Sequence, residues 1–343
     1  MATSTLPPHA SALTANPAGW PQELLPVFAQ ALTVEYASLT GDGTPVTVPV
    51  TPYAGADGLT LDISTGLIYP AKAERARRNP KVALLFSDAT GSGLSDPPVA
   101  LVQGLATVRD AELQTNTDRY VRSSMQKMPG AYARQPRFLL RRLSLYFARI
   151  WVQVTPLRIL WWPQGRIDTE PRVWQAPAGT TALPSDPAPP GRKPPAWNEP
   201  RSHWREVAAR AGEFPYRDLT VVTEDGFPVC VPLADLVYEE DRLSLRPGGQ
   251  RGSYPEGPAC LTLHTHDEGF TYQENQTLIG HMSPEQDDDY RLEVERMLGS
   301  WTLPQNRISS TIDFLRKGRR LGPRLESEAA RRDQPVPRVS LPG

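Results

Sequence analysis

The sequence predicts a mainly β fold with helices (α+β), built as two units of antiparallel strands fused in one chain. Three observations carry this. Short apolar runs alternate with Gly/Asp turn text, the pattern of β-hairpins. Proline stands at 37 in 343 residues, roughly twice ordinary usage, which suits turns and edge strands and argues against a helical bundle. A stretch of the first half also recurs, in order, in the second.

Taken along the chain, residues 1–20 are rich in Ala, Pro, Ser and Thr and read as a flexible tail. They lack the basic start and apolar core of a signal peptide. Residues 21–34 suit a short helix leading into a strand. Three strands follow, at 35–40, 45–53 and 59–64, separated by the turns Gly41-Asp42-Gly43 and Gly55-Ala56-Asp57-Gly58. A basic helix over 71–79 stops at Asn79-Pro80, because the residue before proline avoids the helical region. Apolar strands come next at 82–86 and 99–108. Residues 111–149 read as largely helical, broken at Pro129 and Pro136, and strand character returns at 151–154 and 158–162. The proline-dense stretch 163–200 is a linker, semi-rigid where prolines crowd. An amphipathic helix over 201–211 precedes renewed strand text. The expected domains are therefore 21–162 and 201–315, joined by that linker and followed by a tail at 316–343.

The repeat is the most informative feature. Asp42-Gly43-Thr44-Pro45-Val46-Thr47-Val48-Pro49-Val50 recurs as Asp225-Gly226-Phe227-Pro228-Val229-Cys230-Val231-Pro232-Leu233. Leu59-Thr60-Leu61 answers to Leu243-Ser244-Leu245, and Val82-Ala83-Leu84-Leu85-Phe86 to Ala259-Cys260-Leu261-Thr262-Leu263. Val102-Gln103-Gly104 answers to Leu278-Ile279-Gly280. A sheet of such strands must hide its edges, and closure into a barrel is one way to do so. The copies differ after the third strand. The first carries the basic helix with Lys72; the second has only Pro247 to Gly257 in its place.

Lys+Arg is 37 against Asp+Glu at 38, a formal charge of −1. Nucleic-acid binding calls for a basic face, which this balance does not announce. No apolar run approaches a membrane span. Cys230 and Cys260 sit in strand text without CxxC spacing and read as buried free thiols. The expectation is a cytoplasmic protein with a small-molecule ligand, no nucleic-acid or membrane partner, and either a pseudo-dimeric monomer or a homodimer. No Ser-His-Asp order, nucleophile elbow, Walker loop or Rossmann fingerprint is present.

The order of these pieces resembles a known family. A DGxP turn, a P-V-x-V-P-V strand, a strand ending in Ser64-Thr65, the helix with Lys72, Asn79-Pro80-Lys81-Val82-Ala83-Leu84-Leu85-Phe86 and Val102-Gln103-Gly104 together resemble the split β-barrel of pyridoxamine 5′-phosphate oxidase-like proteins. The resemblance covers about residues 30–162 well and 213–285 more loosely. It implies two split barrels fused as a pseudo-dimer, with a flavin, FMN, in a groove where barrels meet; F420 or haem are the alternatives. It implies phosphate contacts from Ser64, Thr65, Lys72 and Arg75, ring contacts from the strand Val48-Pro49-Val50-Thr51, and an approach by Gln103. A helix start and a lysine suit a phosphate. The chain departs from the oxidase in having Ala71-Lys72 where the family usually has Arg-Lys, and no basic residues on its second strand. Arg246 and Arg251 of the second copy are candidates to complete the grip across the interface.

Other features have plainer readings. Arg77 and Arg78 belong to a solvated helix face. His264-Thr265-His266 places two imidazoles on one strand face, with His281 as a third candidate, but the reading is of hydrogen-bonded histidines and no metal. Trp151 and Trp161-Trp162 read as barrel plugs, Glu285–Asp289 as an exposed helix start, and 316–332 as a solvated basic tail. The function expected is a flavin-dependent oxidoreductase, in which the cofactor performs the redox chemistry and the chain orients it, without a named acid or base. The alternative is a non-enzymatic carrier or sensor of flavin, F420 or haem, or an F420-dependent reductase.

Overall fold

The computed structural model describes residues 16–133, 136–191, 203–249, 254–286, 288–298, 301–303 and 321–342. Asn16 clasps the backbone of Trp20 through two hydrogen bonds of 2.7 and 2.9 Å. That loop seats Trp20 edge-on against Phe28 of α1 (Leu25–Gln30), inside the first core. The end of the expected tail is therefore packed; residues 1–15 lie outside the described residues.

The first unit is β1 (Val34–Leu39), β2 (Pro45–Val50), β3 (Pro52–Ala54), β4 (Leu61–Gly66), α2 (Ala71–Arg78), β5 (Lys81–Phe86), β6 (Val99–Arg109), α3 (Leu113–Lys127), α4 (Pro129–Ala133), α5 (Arg137–Leu140), α6 (Ser144–Phe147), β7 (Arg149–Trp162) and β8 (Arg172–Gln175). Its sheet runs β2-β1-β5-β6-β7-β4-β3, with β8 added beside β7. The second unit begins with α7 (Trp204–Ala209) and continues through β9 (Tyr216–Val222), β10 (Pro228–Glu239), β11 (Arg242–Pro247), β12 (Gly257–His266), β13 (Gln273–Pro284), β14 (Tyr290–Met297) and β15 (Trp301–Leu303). Its order is β12-β9-β10-β11-β14-β13, closed by pairing of β13 with β12. All these pairings are antiparallel.

The two sheets have one topology. Strand β10 follows the path of β2 and β3 together, and its register slips between Leu233 and Asp235, where the first copy breaks between Val50 and Pro52. The opening hairpins also match. Gly43 and Gly226 take φ +85° and +77°, a region open to glycine. Thr40 and Thr223 donate their hydroxyls to Asp42 and Asp225, and their amides to the carbonyls of Thr44 and Phe227. The tandem barrels expected from the repeat are what the chain forms.

Each barrel presses its second strand onto the other. Thr47 of β2 accepts hydrogen bonds at its carbonyl from Thr262 of β12 (3.1 Å) and Thr277 of β13 (3.2 Å). Pro228 of β10 accepts one from the Gln103 side chain of β6 at 2.9 Å. The interface is therefore built as a near-twofold exchange, with its own apolar cluster of Ala37, Ala83, Leu85, Leu101, Trp162 and Cys230.

Three sequence expectations change. Residues 163–191 do not merely link: β8 extends the first sheet, and Asp186 accepts the backbone N–H groups of Asp110 and Ala111 at 2.7 and 2.8 Å. Residues 192–202 lie outside the described residues. Glu285 and Asp289 close the hairpin between β13 and β14 through a 2.8 Å backbone bond, so this stretch is a turn and not a helix start. The C-terminus, described from 321, returns to the first barrel: a helix over 321–330 buries Leu325 and Ala329 in its core, and Val339 packs with Tyr53, Tyr120 and Trp151. Residues 304–320 lie outside the described residues.

Candidate functional site

The near-twofold exchange sets two equivalent regions between the barrels: the first where β2 lies against β12 and β13, the second where β10 lies against β5 and β6. The predicted residues distribute between them.

The first cleft adjoins β2, β4 and α2. Val48, Pro49 and Val50 lie half-buried along β2, and Thr51 directs its hydroxyl to Met128 Sδ at 3.8 Å. Ser64 is half-buried, and its hydroxyl makes no hydrogen bond among the described residues. Thr65 is buried and donates its hydroxyl to the Tyr69 carbonyl at 2.8 Å, so that donor is committed to the turn after β4. Lys72 stands near the start of α2. Burial, then the charges of Arg75 and Arg149, bring its titration down to about 8. Arg75 is brought down to about 10, chiefly by burial, with Arg78 and Arg296 adding repulsion; its Nε donates to Ser38 Oγ at 2.9 Å.

Arg149 was not visible as a site residue in the sequence, where it sits in helix-to-strand text. It pairs across the sheet with Gly66, and a Cβ at Gly66 would stand 3.2 Å from its Nη1. Its guanidinium stacks on Tyr120 and Tyr146 (4.1 and 4.8 Å to the ring centroids) and donates to the Tyr120 hydroxyl at 2.9 Å. Its Nε is buried without a hydrogen-bond partner among the described residues. Lys72, Arg75 and Arg149 form no ion pair with a carboxylate among the described residues. Lys72 is thus held under repulsion from Arg75 and Arg149, whereas for Arg149 burial is outweighed by the surrounding tyrosines Tyr120, Tyr146, Tyr132 and Tyr53, which raise its titration.

Lys127, from the end of α3, was missed for the same reason as Arg149. Its Nζ donates to the carbonyls of Pro52 (2.7 Å) and Ala29 (3.2 Å), and burial brings it down to about 7.

The second cleft is apolar, with a volume of about 270 Å³. Val231 and Pro232, the repeat counterparts of Val48 and Pro49, form one wall, and Leu160 and Trp162 of β7 form the other. Gln103 belongs here and not beside Lys72; it accepts a hydrogen bond from Arg158 Nε at 2.7 Å. Strand partners explain the placement, since β6 faces β10 and its repeat mate β13 faces β2. Arg158 and Arg296 are repeat counterparts opposite the bulges at Gln103/Gly104 and Ile279/Gly280. Each cleft thus receives an arginine from the other barrel. Arg296, not Arg246, is the cross-barrel cation near Arg75: Arg246 is held by Asp289 at 2.7 and 2.9 Å. Arg251 lies outside the described residues.

The remaining candidates are structural neighbours. Arg77 directs Nη2 to both carboxylate oxygens of Asp110 at 2.9 Å and is not solvated. Trp151 is fully buried beside Tyr53 and Tyr120. His281 is exposed at the rim near Glu256, away from His264 and His266.

No family profile matches the chain, and no curated protein matches it. Solved structures do. General Stress Protein 26 from Bacillus anthracis is 14% identical, covering 45% of this chain and 95% of its own, with a TM-score of 0.30. A conserved hypothetical protein from Mycobacterium tuberculosis is 19% identical over 44% of this chain and 88% of its own, with a TM-score of 0.32. A pyridoxamine 5′-phosphate oxidase-related FMN-binding protein from Nostoc punctiforme is 12% identical over 41% and 80%, with a TM-score of 0.30. Each spans less than half of this chain, and no residue role is carried over from any of them.

Proposed function

We propose that the first cleft binds a phosphorylated ring cofactor of the flavin class, FMN or F420, and that the chain is a flavin-dependent oxidoreductase. One observation carries the reading. The charges of Arg75 and Arg149 both act on the buried Lys72, none of the three forms an ion pair with a carboxylate among the described residues, and a dianionic phosphate would relieve that repulsion.

The residues present fit such a group. The orphaned Nε of Arg149 supplies a directed donor, and Lys72 a point charge. Gly66 carries no Cβ to crowd the guanidinium. Ser64 retains a hydroxyl that makes no bond among the described residues, while Thr65 is spent on Tyr69. A bound flavin would supply a ring that accepts or gives electrons or hydride. The chain's own contribution is to hold the phosphate, offer the backbone of Val48 to Thr51 to the ring's polar edge, and exclude water with the second barrel.

The test is the visible spectrum of the purified chain titrated with FMN, F420 and haem, with Lys72→Met and Arg149→Met alongside. The reading expects binding of FMN or F420, weakened at least tenfold by either substitution. Binding of none of the three, or binding indifferent to both substitutions, overturns it. Turnover with a reductant and a generic acceptor then separates an enzyme from a carrier.

A further inference from the structure

We propose that Glu35, Asp218 and His264 form a divalent-cation site of the zinc class, buried where the two barrels meet. One ligand atom from each of these residues lies within 4.8 Å of the others. All three are buried, on β1, β9 and β12. His264 Nε2 stands 2.7 Å from Glu35 Oε1 and 3.8 Å from Asp218 Oδ2.

Two buried carboxylates facing one imidazole are costly as they stand. Asp218 is the decisive observation: among the described residues neither of its carboxylate oxygens accepts a hydrogen bond, although the residue is 1% exposed and belongs to the cluster. A native interior rarely leaves such atoms without a partner. A divalent cation would neutralise both carboxylates and satisfy those oxygens together.

The surroundings are those of a held ligand set. Glu35 accepts a second hydrogen bond from Ser87 Oγ at 3.1 Å. The His264 ring stacks on Tyr216 at 5.2 Å and 17°, which fixes its plane. Its far nitrogen, Nδ1, faces the Asp88 carboxylate at 3.8 Å, and Asp88 is itself paired with His266 at 2.8 Å. A carboxylate on the far side of a ligating imidazole is a common arrangement, here without a direct hydrogen bond. Two carboxylates and an imidazole suit zinc, which takes four ligands of this kind. Magnesium prefers six oxygens and retains water.

The site is independent of the anion cleft, so the two can fail separately. The experiment strips the full chain with a chelator, adds zinc, and measures metal retained after gel filtration together with Tm. One zinc per chain and a raised Tm are expected, with magnesium ineffective. Asp218→Asn, which keeps the shape and removes the charge, is expected to fold and to lose the retained zinc. A folded wild-type chain that retains no zinc overturns the proposal, as does an Asp218→Asn chain that retains as much as wild type. Should Asp218→Asn not fold, cobalt-loaded wild type decides. Intense visible bands of four-coordinate cobalt support the site, and the pale spectrum of six-coordinate cobalt overturns it.

Discussion

Thr47 and Cys230 stand 183 positions apart in sequence, at the same place in the two repeats, and their side chains meet at 3.9 Å in the buried interface. Residues related by a duplication touch each other only close to the axis that relates the copies. Glu35 and Asp218, also counterparts by register, meet nearby through His264. The fused chain therefore has the contact that two separate copies would make about a twofold axis, with the two sides unlike: a hydroxyl opposite a thiol, a glutamate opposite an aspartate.

The thiols at this axis are inert in the folded protein. Burial raises the titration of both Cys230 and Cys260, and thiolate is the reactive form. A thiol reagent is expected to label neither cysteine in the native chain and both in urea. Labelling of either at the rate of a free thiol under native conditions would contradict the packing described.

Gly104 and Gly280 are a matched pair whose loss is expected to damage each barrel separately. A Cβ at Gly104 would lie 2.3 Å from the Thr155 carbonyl oxygen, and one at Gly280 would lie 1.9 Å from that of Glu293. Both contacts are to backbone at a bulge, which cannot yield cheaply. Gly104→Ala and Gly280→Ala are each expected to cost about 2–4 kcal/mol, the scale of severe steric strain. Urea unfolding with tryptophan fluorescence measures it, and a loss below 1 kcal/mol for either would show that the bulge adjusts.

Lys72 gives a pH signature with a definite sign. Its proton is held with a value of about 8 in the folded chain against the ordinary lysine value of 10.5. Between those limits the unfolded chain binds the extra proton, so stability rises with pH across the window. Lys72→Met removes that term, and the difference between wild type and variant isolates it from Lys127. The expected result is that Tm of the variant exceeds that of wild type at pH 7 and the gap narrows toward pH 10. Inorganic phosphate should stabilise wild type at pH 7 and lose that effect as pH passes 8. A gap that is flat with pH would place Lys72 outside the cation cluster.

How much of this was legible follows the physics of each signal. Local turn chemistry is written in short text, so the Asp42-Gly43 and Asp225-Gly226 hairpins and the strand order they start could be read. The repeat then extended that reading to a whole barrel. Lys72 and Arg75 could be named because the family resemblance implies phosphate contacts on the helix after the strand ending in Ser64-Thr65. Arg149 and Lys127 could not, because their neighbours Gly66 and Pro52 are remote in sequence and only sheet pairing and the close of α3 bring them near. Gln103 was attached to the wrong cleft for a related reason. A repeat reveals which residues are equivalent, but not that the equivalents exchange partners across an interface. His264 and His266 were seen as a pair on one face, yet their partners, Glu35 and Asp88, come from the other barrel.

The C-terminal return also escaped the sequence, since basic text such as Arg331-Arg332 ordinarily marks a solvated segment. Here the Arg332 side chain is buried and donates to Asp110 at 2.8 Å and to Glu328 at 2.7 Å, while Arg77 of α2 directs Nη2 to both oxygens of the same Asp110. Asp110 thereby joins the end of β6, the helix carrying the candidate anion site, and the chain's last helix. Removing its carboxylate leaves two buried guanidinium groups short of charge, a change that costs about 3–5 kcal/mol in comparable buried pairs. Asp110→Ala is expected to lose that much in urea unfolding. Asp110→Asn, which keeps one acceptor, is expected to lose less. Because Arg77 and Lys72 share α2, the same Asp110→Ala chain should also bind phosphate more weakly at pH 7. A chain that loses stability while its phosphate affinity stays unchanged would show that the clamp secures the terminus without positioning the helix.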